Sequence, residues 1–329
     1  MTLVLTAVTS AVFVLAMMPW LIRYLRKRAF GQTIYELGPQ AHLQKQGTPN
    51  MGGILIASVS VLTALAYALY EGVTWQLLPL VLASLGAMGV GFADDYIKVI
   101  RRNHEGLKPR QKIIGQVLVG LFFSIYCYFF VGSSIQLPFT RSAWDLGILY
   151  VPLMTLLFIF MTNSANLQDG VDGLMGSVTV VGAVAMAVIA VFLDHQLAPR
   201  AGSAAAGLLM AVAGASIGFL RYNKHPAQIM MGDTGSMYIG GVFTAVSMLL
   251  GLQFWLIPIC FTMIMSSVSV IMQRSYYKLT HGKRIFKMSP IHHHFELSGM
   301  NENQIVIMYA LVTLAMSAIA VLAAMPLFG

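Results

Sequence analysis

The chain has 329 residues, is 57% hydrophobic and only 10% charged, and carries a formal net charge of +8. Soluble domains hold about 25% charged residues, so this composition cannot clothe a water-soluble globule and makes lipid the main solvent. It leaves no room for a large soluble domain. The positive balance reads as loop bias and attraction to the anionic headgroups of a lipid bilayer, with no nucleic-acid partner required.

Ten apolar segments follow in chain order, at about 3–22, 52–70, 76–93, 113–132, 147–165, 175–193, 201–220, 235–251, 253–273 and 305–327. Each approaches the ~20 residues that span a bilayer. The first lacks a cleavage-site pattern after a basic start and reads as a retained helix. The eighth and ninth are parted only by Gly251, Leu252 and Gln253. Cys127 and Cys260 lie inside apolar runs, at no metal or redox spacing, and read as small buried hydrophobes. The expected fold is all-α: a polytopic membrane protein with about ten transmembrane helices, forming a single catalytic domain.

If the N-terminus is external, the connections 23–51, 94–112, 166–174, 221–234 and 274–304 share one face and hold 18 of the 20 Lys and Arg residues. That asymmetry is the positive-inside pattern and makes this face cytoplasmic, with both termini external. Nine of the 12 acids and seven of the eight histidines fall on the same side. Any chemistry is therefore expected at the cytoplasmic membrane surface.

Five motifs sit at the inner ends of the spans. In Gly38 to Gly53, glycines flank Lys45 and Thr48, which suits a loop near an anion; a plain loop into the second span is the simpler reading. Asp94 and Asp95 close the third span. Adjacent carboxylates at a hydrocarbon boundary call for a cation, a polar ligand or a basic neighbour, and Lys98 is within helical reach of both. Across the end of the fifth span and the connection 166–174, Asn163, Asn166, Asp169 and Asp172 recur every three residues with no Lys or Arg among them. That spacing suits metal-bound water, ribose hydroxyls or a base edge, against a simple Asn/Asp/Gly turn. Asp233 stands between Gly232 and Gly235, with Thr234 and Ser236 placed to cap a helix or meet phosphate. His292, His293 and His294 are consecutive, which is no metal spacing, but imidazoles bind phosphate oxygens or carry protons near neutral pH. Together these groups point to a Mg²⁺ and phosphate site.

In this order, Gly47 to Gly53 (GTPNMGG), Asp94-Asp95, Asn166 to Leu174 (NLQDGVDGL), Met231 to Ser236 (MGDTGS) and Pro290 to Glu296 (PIHHHFE) resemble the phospho-N-acetylmuramoyl-pentapeptide transferase family. The resemblance runs from about Gly31 to the last span. It implies a ten-helix fold, usually a homodimer, joining UDP-N-acetylmuramoyl-pentapeptide to undecaprenyl phosphate and releasing UMP. It further implies Mg²⁺ on Asp233, with Asn166 beside the metal, and Asp94 and Asp95 at the lipid phosphate, Asp94 being the favoured base candidate. Lys98, Asn166, Asp169, Asp172 and Asn223 would line the nucleotide pocket, with Lys45, Thr48, Asn50 and Met230 near the substrate. His292 and His293, with His294 next to them, would meet its phosphate or sugar region. Asn50 and Gln168 stand where the family often has Thr. Met230 stands where it usually has Phe placed to stack on uracil. Two rival readings are transfer of N-acetylglucosamine-1-phosphate and membrane transport; the latter is disfavoured because no charged residue sits mid-span.

Overall fold

The structure is a computed structural model and describes residues 2–27, 47–101, 106–194 and 200–328. The expected segments all appear as helices: α1 (Thr2–Lys27), α2 (Gly53–Glu71), α3 (Thr74–Arg101), α4 (Pro109–Phe130), α5 (Tyr150–Gln168), α6 (Leu174–Leu193), α7 (Ala201–Asn223) and α8 (Gly232–Leu249). They are followed by α9 (Leu256–Ile259), α10 (Phe261–Leu279), the short α11 (Ile291–Glu296) and α12 (Glu302–Ala324).

Among the described residues, eight helices are individually long and apolar enough to cross a membrane. The expected ninth segment is a pair, α9 with its preceding turn and then α10, bent by 86°. The expected eighth, α8, is the exception among the ten. Its first turn is polar, and every residue of it except Asp233 is buried inside the bundle. The chain is thus an all-α polytopic membrane protein in which α8 is wrapped by the other helices.

Small residues explain how α8 can be enclosed, since apolar helices in lipid associate through close backbone packing. A Cβ on Gly53 of α2 would lie 2.1 Å from Gly235 Cα, and one on Gly91 of α3 would lie 2.2 Å from the Asp233 carbonyl oxygen. Gly240 rests on Thr162 and Met161 of α5, and Gly241 on Ala87 of α3. The Ala- and Gly-rich α7 repeats the device: Gly214 and Gly218, one turn apart, sit on Ala7 and Ala11 of α1. Cys127 and Cys260 are buried and unbridged. Between α4 and α5 the chain makes a small antiparallel hairpin, β1 (Ser134–Gln136) with β2 (Ala143–Asp145), pairing Ser134 with Asp145.

Several helices run past the expected span ends. α3 continues to Arg101, so Asp94, Asp95 and Lys98 stand on a helix, and α4 starts at Pro109, which places Lys112 in its first turns.

Candidate active site

Two distant segments are zipped together by backbone hydrogen bonds beneath the site. The Met230 N–H donates to the Pro49 carbonyl at 2.8 Å, and the Gly52 and Gly53 N–H groups donate to the Met230 and Met231 carbonyls, both at 2.9 Å. Gly232 turns the chain into α8 at φ +76°, and a Cβ there would come within 2.6 Å of both Asn50 Oδ1 and Asp95 Oδ2. Only glycine combines that backbone with that closeness. Met230 is nearly buried, so its main chain builds the junction.

Over this junction three carboxylates converge. Asp94 and Asp95 come from α3, and Asp233 from the first turn of α8. One oxygen from each lies within 4.8 Å of the others, a spacing that admits a metal ion. Asp95 is almost fully buried and both its oxygens are occupied. Oδ2 accepts from the Thr234 N–H at 2.9 Å and its hydroxyl at 2.7 Å, and Oδ1 accepts from Asn50 Nδ2 at 3.2 Å. Asp94 Oδ1 accepts from the Leu107 N–H at 2.9 Å, and Oδ2 faces Lys98 Nζ at 2.5 Å.

Two ammonium groups complete the nest. Lys98 Nζ is 3.2 Å from Asp233 Oδ2 and 3.9 Å from Asp95 Oδ1. Lys112 Nζ is 2.7 Å from Asp233 Oδ2 and donates to Asn166 Oδ1 at 3.2 Å. Asn166 Nδ2 in turn donates to Asp233 Oδ1 at 2.8 Å and to Ser236 Oγ at 3.1 Å. In this arrangement Asn166 orients Asp233, and ligation by its oxygen would mean giving up Lys112. Lys112 is absent from the sequence candidates because in the sequence it is one more basic residue of the connection 94–112.

The loop after α5 forms the second half of the site. Asp169 accepts a hydrogen bond from the Gly232 N–H, yet burial, followed by the neighbouring Asp233 and Asp95 charges, pushes its carboxyl up to about 7. Asp172 belongs to a separate network. Its Oδ2 meets His225 Nδ1 at 3.1 Å and accepts from the Ala227 N–H at 3.0 Å, while its own N–H donates to Glu302 at 2.8 Å. Glu302 Oε1 lies 3.3 Å from the same His225 nitrogen, so these three side chains tie the loop to α12. Asn223 braces the loop as well, accepting from the Gly173 N–H at 3.0 Å and donating to the Ile229 carbonyl at 2.9 Å. His225 and Glu302 are also absent from the sequence candidates, having no motif spacing to reveal them. Gln168 points away from the site, toward Thr262 of α10 at 3.3 Å.

The histidines separate by role. His292 is fully buried against Gly170, where an added Cβ would stand 2.5 Å from His292 Nε2 and 3.3 Å from His293 Nε2. His293 Nδ1 lies 3.0 Å from Glu296 Oε2. His294 turns outward and accepts from the Lys287 N–H at 3.2 Å. Thr48 is half-buried beside the junction, and Lys45 lies outside the described residues.

The structure therefore brings Asn50, Asp94, Asp95, Lys98, Asn166, Asp169 and Asp233 together, with His292 and His293 alongside and Asp172 and Asn223 as braces. Residues 77–251 match the family model described as glycosyl transferase family 4. Over 312 residues, 95% of both chains, the protein is 41% identical to one of Thermoanaerobacter pseudethanolicus named phospho-N-acetylmuramoyl-pentapeptide-transferase. Proteins of the same name from Caldicellulosiruptor bescii (38% identity, 94% of both chains) and Clostridium kluyveri (41%, 92% of this chain and 93% of the relative) align equally broadly. The chain belongs to glycosyl transferase family 4 and, within it, to the phospho-N-acetylmuramoyl-pentapeptide transferases.

Proposed function

We propose that this enzyme transfers phospho-N-acetylmuramoyl-pentapeptide from its UDP carrier to undecaprenyl phosphate, giving lipid I and UMP, at the cytoplasmic face of the bacterial inner membrane. The observation that carries the reading is the convergence of Asp94, Asp95 and Asp233 under Lys98 and Lys112. Such a nest sets oxygen donors for a cation beside ammonium groups that suit phosphate. The basic connections 23–51, 94–112, 221–234 and 274–304 support a cytoplasmic site and external termini. A homodimer is part of the proposal by family resemblance.

The three carboxylates offer hard oxygen donors of the kind Mg²⁺ takes, and Asp233, the most exposed of them, is the one best placed to hold it. Bound there, Mg²⁺ would supply charge neutralisation for the diphosphate and for departing UMP. The rest falls to the chain's own groups. An oxygen of the lipid phosphate attacks the sugar-linked phosphorus; the new phosphoanhydride bond forms as the bond to UMP breaks, and UMP leaves with the electron pair. A phosphate monoester has a second pKa near 6, so the acceptor is already a dianion at neutral pH and needs no strong base. Lys98 and Lys112 offset the repulsion between two anionic substrates. Both oxygens of Asp94 and of Asp95 are engaged by neighbours, which favours positioning roles and direct attack over an aspartyl-phosphate intermediate. Asp169, Asp172 and Asn223 would shape the nucleotide side, and His292 and His293 the phosphate-sugar side.

The test is UMP release by the purified protein given UDP-N-acetylmuramoyl-pentapeptide and undecaprenyl phosphate. Release should require both lipid and Mg²⁺ and disappear in Asp233→Ala. Release only with UDP-N-acetylglucosamine would move the activity to the other sugar.

A further inference from the structure

The six-residue α11 that carries His292 and His293 is far too short to hold its own shape, since isolated helices below about 12 residues are marginal in water. Something must dock it. The preceding segment is fastened at both ends to one face of α10. Near one end, Gln273 Oε1 accepts from the N–H groups of Ile285 and Phe286, both at 3.0 Å, while its Nε2 donates to the Phe286 carbonyl at 3.0 Å. At the other end, Ser269 Oγ accepts from the Ile291 N–H at 3.0 Å and donates to the Ser266 carbonyl at 2.7 Å. Ser269 and Gln273 are one turn apart and so share a helix face. Ser269 is fully buried.

Gln273 thereby behaves like a length of backbone, presenting an acceptor and a donor to a stretch that has no sheet partner. Its hold sets where Lys287 falls, and the Lys287 N–H in turn fixes the His294 ring. The Phe286 ring lies edge-on to that ring at 5.7 Å. The next link is α11 itself, which presses His292 against Gly170 in the loop that bears Asp169. A slack segment here would let both histidines drift from that loop, with no change in their chemistry.

We propose that Gln273, assisted by Ser269, is a positioning residue of the transferase, acting through His292 and His293 and never touching substrate. The proposal rests on the transferase reading given above. Gln273→Glu keeps both acceptor bonds but sets a carboxylate oxygen against the Phe286 carbonyl in place of the donated bond, whereas Gln273→Leu loses all three.

The experiment is a substitution cycle in the UMP-release assay with the full chain in detergent. Gln273→Leu should lower kcat at least tenfold while changing the nucleotide KM less than threefold, and Gln273→Glu, which keeps the two acceptor bonds, should recover part of the rate. In a background with both His292→Ala and His293→Ala, adding Gln273→Leu should cost less than twofold, because a group acting through the two histidines is silent once both are gone. An equal loss in both backgrounds would assign Gln273 a general structural role and overturn the proposal. So would wild-type kcat in Gln273→Leu. Inactive wild-type protein with both UDP-sugars would instead sink the transferase reading itself.

Discussion

Gly53 offers a sharp test of how the site is mounted. It abuts Gly235, two residues past Asp233, and an added Cβ would sit 2.1 Å from Gly235 Cα and 2.2 Å from its nitrogen. Ordinary contact begins at 3.4 Å, and both obstacles are backbone, so no side chain can swing aside. In Gly53→Ala, α2 and α8 must separate by about 1.3 Å, and overpacking of this kind costs about 1–3 kcal/mol. The start of α8 carries Asp233 with it, and displacement on the order of 1 Å costs on the order of 100-fold in rate. Gly89→Ala is the matched control, because nothing lies within 4 Å of a Cβ at that position of α3. Both variants should be assayed for UMP release and thermal unfolding in detergent. We expect Gly53→Ala to lose about two orders of magnitude in kcat and to melt earlier, with Gly89→Ala near wild type. Equal activity in the two variants would refute the claim that backbone contact between α2 and α8 sets the position of Asp233.

Lys112 Nζ lies 2.7 Å from Asp233 Oδ2, an oxygen that a cation in the carboxylate nest would also meet. An ammonium and a dication a few ångströms apart repel, so Lys112→Met should tighten Mn²⁺ or Mg²⁺ binding about tenfold in a calorimetric titration while sharply lowering UMP release. Weaker cation binding would show that Lys112 supports the metal. Asp169, with its carboxyl raised to about 7, holds in the folded state a proton that the unfolded chain gives up near pH 4. Its contribution to stability is therefore lost as pH climbs from about 4 to about 7 and stays flat above. With chelator present, Asp169→Asn should unfold at a higher temperature than wild type at pH 8 and lose that advantage at pH 4; a constant gap would contradict the assignment.

Much of this was readable in the chain because hydrophobic runs, charge bias and acid placement are local properties. The helices, Asp94-Asp95 and the Asn166 to Asp172 spacing needed no long-range knowledge. What stayed hidden depends on contacts between distant segments. Lys112 looks like a topological charge until α4 delivers it to Asp233. Asn223 fits a ligand role in sequence, yet its amide is spent on the backbone of Gly173 and Ile229. The bend of 86° before α10 leaves no hydropathy trace, because both arms are apolar. Likewise α8 reads as one more lipid-facing span, and only the Gly53, Gly91 and Gly241 contacts reveal that protein surrounds it.

That enclosure has a mechanical consequence. Bilayers differ in thickness, and lipid-facing helices answer by tilting or stretching. α8 has no lipid to answer to, since all but its first-turn Asp233 is shielded by protein. Strain from the membrane reaches it only after passing through the surrounding helices. The carboxylate of Asp233 is thus suspended on an inner axle, and the chemistry it supports is insulated from the changing thickness of the membrane around it.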